Sequence, residues 1–270
     1  MKKRKKNFYK KNIKVLLLFG IIILSVIFAI CILLNNNKYY KISSRVAELN
    51  KEIKNDDAAY RTIGWIKVQG TNIDYPVIQS KGEESNYPVD KESYFWSRNS
   101  DNKMHNNMLI NGHNIFNLSS QPKTKSVMFK RAEELMSFVY YDFSKKNKYI
   151  QLTIGNHDYI YKIFSVAFID GSDATFLPYK DDLSSKETND YIDILKEKSI
   201  YEYDVKVNSK DKIISVVTCN RIFSDRTKEE LYVSGRLLRE NEKNNNYGVK
   251  KSKNYKILEK VWEDSKDEEA

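Results

Sequence analysis

The chain has 270 residues and a formal net charge of +10, a value typical of nucleic-acid-binding proteins. Eight of its 46 basic residues lie within residues 1–14, which contain no acidic residue, so the rest of the chain holds 38 basic and 36 acidic side chains. Because the body of the protein is nearly neutral, the charge argues against nucleic acid as a partner.

Residues 15–34 form an uncharged run rich in Leu, Ile, Val and Phe. As a helix this run can cross a bilayer core of roughly 30 Å, and it is longer than the roughly 7–15 residues of a signal peptide's apolar region. No Ala-x-Ala-like cleavage site follows it. We therefore predict a single-pass anchor in the cell membrane. The basic residues 1–14 would place the N terminus in the cytoplasm and residues 35–270 outside the cell.

The cysteines point to a functional thiol. Cys31 lies within the predicted span, which leaves Cys219 alone in the outer region. A free cysteine is often a small buried hydrophobic residue, but an unpaired thiol in an oxidising compartment is a liability unless it is used. The pattern therefore favours chemistry at Cys219.

The predicted elements of the outer region begin with a juxtamembrane helix in residues 35–60, where apolar residues recur every three or four positions. Residues 81–106 are predicted to be mostly irregular, with the aromatic residues 94–96 folding back on the core. Ser184 and Glu187 have the spacing of a capping box, which predicts a helix start. Strands are predicted at 63–68, 73–79, 108–110, 149–154, 159–169, 212–218 and 231–238, and further helices at 127–136 and 184–198.

Many short strands with few helices predict a mainly β architecture, a barrel or a sandwich, over residues 61–240. Residues 241–270 are highly charged, and we interpret them as a mobile or loosely docked tail. The predicted organisation is thus a basic N terminus, a membrane span, a juxtamembrane helix, one β-rich domain and a charged tail.

Cys219 ends the predicted strand 212–218 and precedes a polar loop, a position where catalytic residues are common. Of the three histidines, His113 follows a short apolar strand on a Gly-containing turn, whereas His105 and His157 lie in polar loops and are predicted to be exposed. We predict that His113 partners Cys219, since a neighbouring imidazolium favours the nucleophilic thiolate.

A thiolate that attacks a carbonyl also needs a group to stabilise the resulting oxyanion. Arg226, just before the last predicted strand, is the best-placed candidate, and Arg221 and Arg236 are the alternatives. The sequence has no His-Glu-x-x-His or Cys-x-x-Cys motif and no Gly-rich phosphate loop, which disfavours a metal or a phosphate-binding cofactor.

Taken in order, these segments resemble a class B sortase over roughly residues 40–240. The helix predicted at 184–198, ahead of the cysteine strand, is the feature that points to class B. The motifs that carry the resemblance are Gly64-Trp65-Ile66, Asp74-Tyr75-Pro76-Val77-Ile78-Gln79, Asn111-Gly112-His113-Asn114 and Thr218-Cys219, all of them after an N-terminal anchor.

The resemblance implies an eight-stranded β-barrel and an extracytoplasmic cysteine transpeptidase of a Gram-positive bacterium, without a cofactor. Cys219 would attack the Thr carbonyl of a C-terminal sorting motif in a secreted protein and form a thioester. An amine of a peptidoglycan precursor would then resolve the thioester, with His113 as general acid and base. Class B suggests an Asn-Pro-x-Thr-like motif rather than a Leu-Pro-x-Thr-like motif, and both stay open.

The chain departs from the family pattern in two places. The family's Thr-Leu-x-Thr-Cys is replaced here by residues 215–219, Ser-Val-Val-Thr-Cys, which should keep the strand. The family's arginine lies directly ahead of the last strand, where this chain has Glu229 and Glu230. We predict that Arg226 takes over that role.

Two other functions compete with a transpeptidase. A cell-wall cysteine peptidase would use water as acceptor, but in papain-like enzymes and their cell-wall relatives the cysteine precedes the histidine, the reverse of the order here. A catalytically impaired, sortase-like wall-binding or scaffold protein would instead keep Cys219 as a buried structural residue.

Overall fold

The computed structural model of the chain describes residues 15, 17–34, 60–80, 95–97, 103–114, 132–155, 157–170, 180–220, 222, 229–242 and 246–259. The chain divides into two units, Met1–Ala47 and Glu48–Ala270. The predicted juxtamembrane helix, apart from Tyr60, lies outside the described residues.

The first unit contains helix α1, Leu17–Leu34. Its mean hydropathy is 3.3, and none of its length is buried inside the protein. A helix of this length and composition can cross a bilayer. Its place near the N terminus suits the predicted membrane anchor.

The second unit is a mainly β domain, and its large sheet is a closed barrel, which confirms the predicted fold class. In chain order its strands are β1 Tyr60–Val68, β2 Asp74–Ser80, β3 Phe95–Ser97, β4 Asn107–Gly112, β5 Tyr149–Ile154, β6 His157–Asp170, β7 Tyr201–Tyr203, β8 Ile213–Cys219, β9 Glu229–Leu237 and β10 Val249–Lys251. The eight strands of the barrel follow the order β1-β2-β3-β4-β8-β9-β6-β5, and β7 pairs with β10 in a separate sheet.

Strand β8 lies between two hydrophobic cores. Ile214 and Val216 pack in the larger core within the barrel, whereas Ile213 and Val217 belong to a second core on the outer face. A strand covered on both faces has a nearly continuous apolar sequence, which explains the run that begins at Ile213. The end of this strand, where Cys219 lies, is therefore held on a rigid element.

The outer core is covered by helix α3, Ser185–Lys198, which confirms the helix predicted at 184–198. Its N terminus is a capping box: Ser184 Oγ accepts from the Glu187 amide, and the Glu187 carboxylate accepts from the Ser184 amide over 2.7 Å. Tyr191 and Leu195 on its buried face pack against the sheet. The helix thus fixes the outer face of the strands that carry the candidate site.

Two shorter elements differ from the prediction. Residues Phe95–Ser97, predicted as part of an irregular segment, form barrel strand β3, parallel to β2 and antiparallel to β4. Three residues are too few to show an alternating pattern, although Phe95 is buried as expected. Of the helix predicted at 127–136, residues 127–131 lie outside the described residues, and the rest belongs to a 3-10 helix, Ala132–Val139, followed by helix α2, Tyr141–Lys146.

The interpretation of residues 241–270 as a loosely docked tail is wrong for residues 246–259. Val249–Lys251 pairs with β7, and the side chains of Val249, Tyr255 and Leu258 are buried in the larger core. The charged side chains between them are exposed, and they dominate the composition. The apolar residues are too widely spaced to form a recognisable periodic pattern.

Candidate active site

The barrel brings the two predicted catalytic segments together through strands β4 and β8, which are parallel neighbours. Their pairing ends with Gly112 opposite Thr218. The next residues along the two strands are His113 and Cys219. Because neighbouring strands lie about 4.8 Å apart, His113 and Cys219 lie side by side at the same end of the barrel.

Two side-chain hydrogen bonds join these strand ends. Thr218 Oγ1 donates to the carbonyl oxygen of Gly112 over 2.8 Å, and Asn114 Nδ2 donates to the carbonyl oxygen of Cys219 over 2.9 Å. Thr218 and Asn114 are both buried. The backbone at Cys219 is therefore fixed relative to the turn that carries His113.

The thiol is accessible to solvent. Side chains alternate along a strand, so Thr218 is buried while Cys219 is exposed on the face that Val217 shares. The hypothesis of a buried structural cysteine is therefore wrong. An exposed thiol on a rigid strand can meet a substrate.

His113, which follows β4 directly, is half-buried. Burial lowers the pKa of its imidazole below the usual value of 6.5, because desolvation disfavours the charged ring. The lowered pKa favours the neutral ring, which can accept the proton of a thiol.

The other two histidines lie away from this site. His157 is exposed at the start of β6, as predicted. The side chain of His105 is only 12% exposed, and its Nδ1 lies 3.1 Å from a carboxylate oxygen of Asp182, so its prediction as an exposed loop residue is wrong. His105 precedes β4 and lies at the end of that strand opposite to His113.

The structure removes Arg236 from the set of candidate oxyanion-binding residues. Arg236 pairs with Ile213, at the far end of β8 from Cys219, roughly 20 Å away along the strand. Its guanidinium is buried and bonded to the carboxylate of Glu242 over 2.7 Å. Arg236 is therefore a structural residue, and the other two candidates, Arg221 and Arg226, lie outside the described residues.

The residue directly opposite Cys219 on β9 is Glu230. The hydroxyl of Tyr232 donates a hydrogen bond to Glu230 Oε2 over 3.0 Å. In the sequence, Glu230 stands at the position of the family's arginine, and the sequence alone predicts no role for it. The strand register supplies the missing information, since it fixes which residue of β9 faces the thiol.

Within the part of the chain that the structure describes, no group of three or more His, Cys, Asp or Glu side chains is arranged to hold a metal ion. The groups that the strand ends bring together are a thiol, an imidazole and a carboxylate. This combination is suited to acyl transfer through a covalent intermediate.

Comparison with known proteins identifies relatives with this architecture. The Sortase domain family matches residues 66–238. The chain is 30% identical to sortase B of Listeria monocytogenes over 187 residues, which cover 65% of this chain and 69% of the relative. It is 27% identical to sortase B of Staphylococcus aureus over 180 residues, or 64% and 68% of the two chains. A solved structure of a cysteine-to-serine mutant of Clostridium perfringens sortase B matches with a TM-score of 0.54 at 25% identity, covering 72% of this chain and 88% of that one.

Proposed function

This chain belongs to the sortase family as a class B sortase, a cysteine transpeptidase, and we propose that Cys219 is its nucleophile and His113 its general acid and base. The observation that carries the proposal is the register of β4 and β8. This register ends at Gly112 and Thr218, which supports a pairing of the His113 imidazole with the exposed Cys219 thiol.

The first half-reaction starts from a neutral pair. The imidazole of His113 takes the proton of the Cys219 thiol, and the thiolate attacks the carbonyl carbon of a Thr in the donor's sorting motif. The peptide C–N bond then breaks, and the imidazolium gives its proton to the departing amine. A thioester between the donor and Cys219 remains.

The second half-reaction transfers the donor to an amine. The amine attacks the thioester carbon, a new C–N bond forms, and the C–S bond breaks. His113 takes a proton from the amine and returns it to the sulfur, which restores the thiol and the neutral imidazole. Each step uses the same two side chains in opposite directions.

Arg226 is our candidate for stabilising the oxyanion of both tetrahedral intermediates. Its support is its position in the sequence between Cys219 and β9. A guanidinium there would supply the positive charge and the N–H donors that the developing oxyanion needs. Arg221 is the alternative in the same segment.

Sortases act on proteins with sorting motifs and on cell-wall precursors. For this chain we propose an Asn-Pro-x-Thr-like donor motif, with a Leu-Pro-x-Thr-like motif as the alternative, and a peptidoglycan amine as acceptor. Helix α1 would anchor the enzyme with its N terminus in the cytoplasm and its barrel on the outer surface of the membrane.

The test is cleavage of quenched fluorescent peptides carrying either motif by the full-length protein in detergent, with mass spectrometry for a thioester. Cys219→Ala and His113→Ala should abolish cleavage, and Arg226→Ala should reduce it at least about a hundredfold, as expected for an oxyanion donor. His157→Ala, which removes an exposed histidine from a turn, is the matched control. Unchanged cleavage by Cys219→Ala would refute the proposal.

The same assay separates the competing functions. A cysteine peptidase would release the donor with a free carboxylate even when an amine acceptor is in excess, whereas a transpeptidase would give the amide. An impaired, scaffold-like relative would form no thioester with either peptide, although its exposed thiol would still react with alkylating reagents.

A further inference from the structure

The carboxylate of Glu230 is positioned by the register of β8 and β9. Asn220 N donates to the carbonyl oxygen of Glu229 over 3.0 Å, which makes these two residues a hydrogen-bonded pair. The preceding pair, Cys219 with Glu230, is therefore a non-hydrogen-bonded pair, in which facing side chains come closest. The side chains of Cys219 and Glu230 project from the same face of the sheet.

Tyr232 holds Glu230 in this position. The ring of Tyr232 is fully buried in the outer core, and its hydroxyl donates to Glu230 Oε2 over 3.0 Å. Because the ring of Tyr232 is held in the core, its hydroxyl keeps the Glu230 carboxylate at the rim of the site. Glu230 itself is partly exposed and can meet a ligand.

By this register, the residues that carry three chemically active groups follow one another on adjacent strands at the barrel end. His113 lies on β4's extension, Cys219 is next to it on β8, and Glu230 follows on β9. Cys219 is in the middle, with His113 on the β4 side and Glu230 on the β9 side. Glu230 therefore faces whatever group approaches the thioester from the β9 side.

We propose that Glu230 is a specificity-determining residue that binds a primary ammonium group of a substrate beside the thioester. This role rests on the proposed function, and it means that the site selects a positively charged group. A carboxylate that faces the thioester from the neighbouring strand attracts a cation to the acyl group. A substrate ammonium offers both the charge and the N–H donors for a charge-assisted hydrogen bond.

The proton balance of the transfer step is compatible with this role. An ammonium must lose two protons to become the amide N–H. One passes to the carboxylate of Glu230 and on to solvent, which frees the lone pair that attacks the thioester carbon. The other passes to His113 during attack and then to the sulfur of Cys219 as the C–S bond breaks.

The same ammonium chemistry could come from the acceptor or from a lysine side chain of the donor. The experiment therefore varies both substrates. The acceptor is either glycinamide, which is largely charged at pH 7.5, or hydroxylamine, which is largely neutral. The donor peptide either has a lysine flanking the motif or lacks it. Each is assayed with the full-length wild type, Glu230→Gln and Glu229→Gln. Glutamine keeps an oxygen for the Tyr232 hydroxyl, and Glu229→Gln removes the same charge one residue away.

We expect Glu230→Gln to raise the KM for glycinamide about tenfold while the KM for hydroxylamine stays within about twofold of wild type. A tenfold loss restricted to the lysine-containing donor would support the site and assign the ammonium to the donor. Losses that do not depend on substrate charge, or equal losses in Glu229→Gln, would overturn the proposal.

Mass spectrometry of the acyl-enzyme distinguishes this failure from failure of the proposed function. If the wild type forms a thioester on Cys219 and charge selectivity is absent, only the role of Glu230 is overturned. If the wild type forms no thioester, both proposals are overturned.

Discussion

The side-chain amide of Asn114 donates a hydrogen bond to the carbonyl oxygen of Cys219 over 2.9 Å. Asn114 is 2% exposed, so it acts as a buried brace between the histidine turn and the cysteine strand. It follows His113 directly, and one short segment therefore supplies both the proposed general base and the group that fixes the backbone of the nucleophile.

Removing this brace should affect turnover more than substrate binding. We expect Asn114→Ala to lower kcat about tenfold with little change in KM, because small displacements of a nucleophile are costly in rate. The lost buried hydrogen bond should also destabilise the fold by about 1–3 kcal/mol. Steady-state kinetics and thermal unfolding measure the two effects.

Asn254→Ala is the control for this substitution. Asn254 also donates through its side chain to a backbone carbonyl oxygen, that of Glu197 over 2.7 Å, but it lies in the C-terminal segment. Its loss should affect stability alone. A normal kcat in Asn114→Ala would show that the strand register suffices to place Cys219.

The lowered pKa of His113 predicts the position of the acid limb in the pH–activity profile. Burial depresses the pKa below 6.5, so the neutral base persists to lower pH than it would in an exposed histidine, and the acid limb of kcat/KM should lie below pH 6.5. NMR titration of labelled histidines, with His113→Gln for assignment, measures this pKa directly. A measured His113 pKa at or above 6.5 would contradict the effect of burial on the ring.

The same shift has a consequence for stability. Since the folded state binds the proton less readily than the unfolded state, stability from this group is present above about pH 6.5 and is lost progressively as the pH falls from there through the lower pKa of the folded state. The free energy of unfolding should therefore decline between pH 7 and pH 5 more steeply in the wild type than in His113→Gln. Urea unfolding at several pH values tests the difference.

The sequence predicted the large elements because their patterns are long enough to read. Strands β5, β6 and β9 and helix α3 carry an alternation or an amphipathic stripe, β8 carries a nearly continuous apolar run, and the thiol and imidazole follow from rare residue types at strand ends. Strand β3 is too short to show an alternating pattern, and the buried residues of 246–259 are few and separated by charged residues, so the sequence predicts neither of them. Glu230 lacked a role because only the barrel register determines that it faces Cys219.

A buried charge cluster should stabilise the end of the barrel remote from the thiol. The carboxylate of Glu242 pairs with Arg236 and, over 2.8 Å, with Nζ of Lys162; the side chains of these two cations are 4% and 9% exposed. These contacts, above all the hydrogen bond from Arg236, hold the pKa of Glu242 well below its usual range. We expect Glu242→Gln to cost about 3 kcal/mol of stability, since it leaves buried cations without a countercharge.

Asp190→Asn is the control for the Glu242 substitution. Asp190 pairs with Lys186 on the exposed face of α3, where the two side chains are 57% and 86% exposed. Exposed pairs of this kind contribute about 0–1 kcal/mol.

The contribution of Glu242 should be lost as the pH falls below about 4.5, where its unfolded form takes up a proton. Denaturant unfolding at pH 7 and pH 4 measures both effects, and equal losses in the two variants would contradict the cluster's role.

The pairing of Glu230 with Cys219 also predicts the intrinsic reactivity of the thiol. A carboxylate on the facing residue disfavours the thiolate, so Glu230→Gln should raise the rate of alkylation by iodoacetamide at pH 7 several-fold, and Glu230→Arg should raise it further. Glu229→Gln should change it little, because successive side chains of a strand point to opposite faces. The measurement needs no substrate and reports charge at the thiol alone. An alkylation rate that does not respond to the charge at position 230 would mean that the two side chains diverge, and the ammonium subsite would then lose its geometric basis.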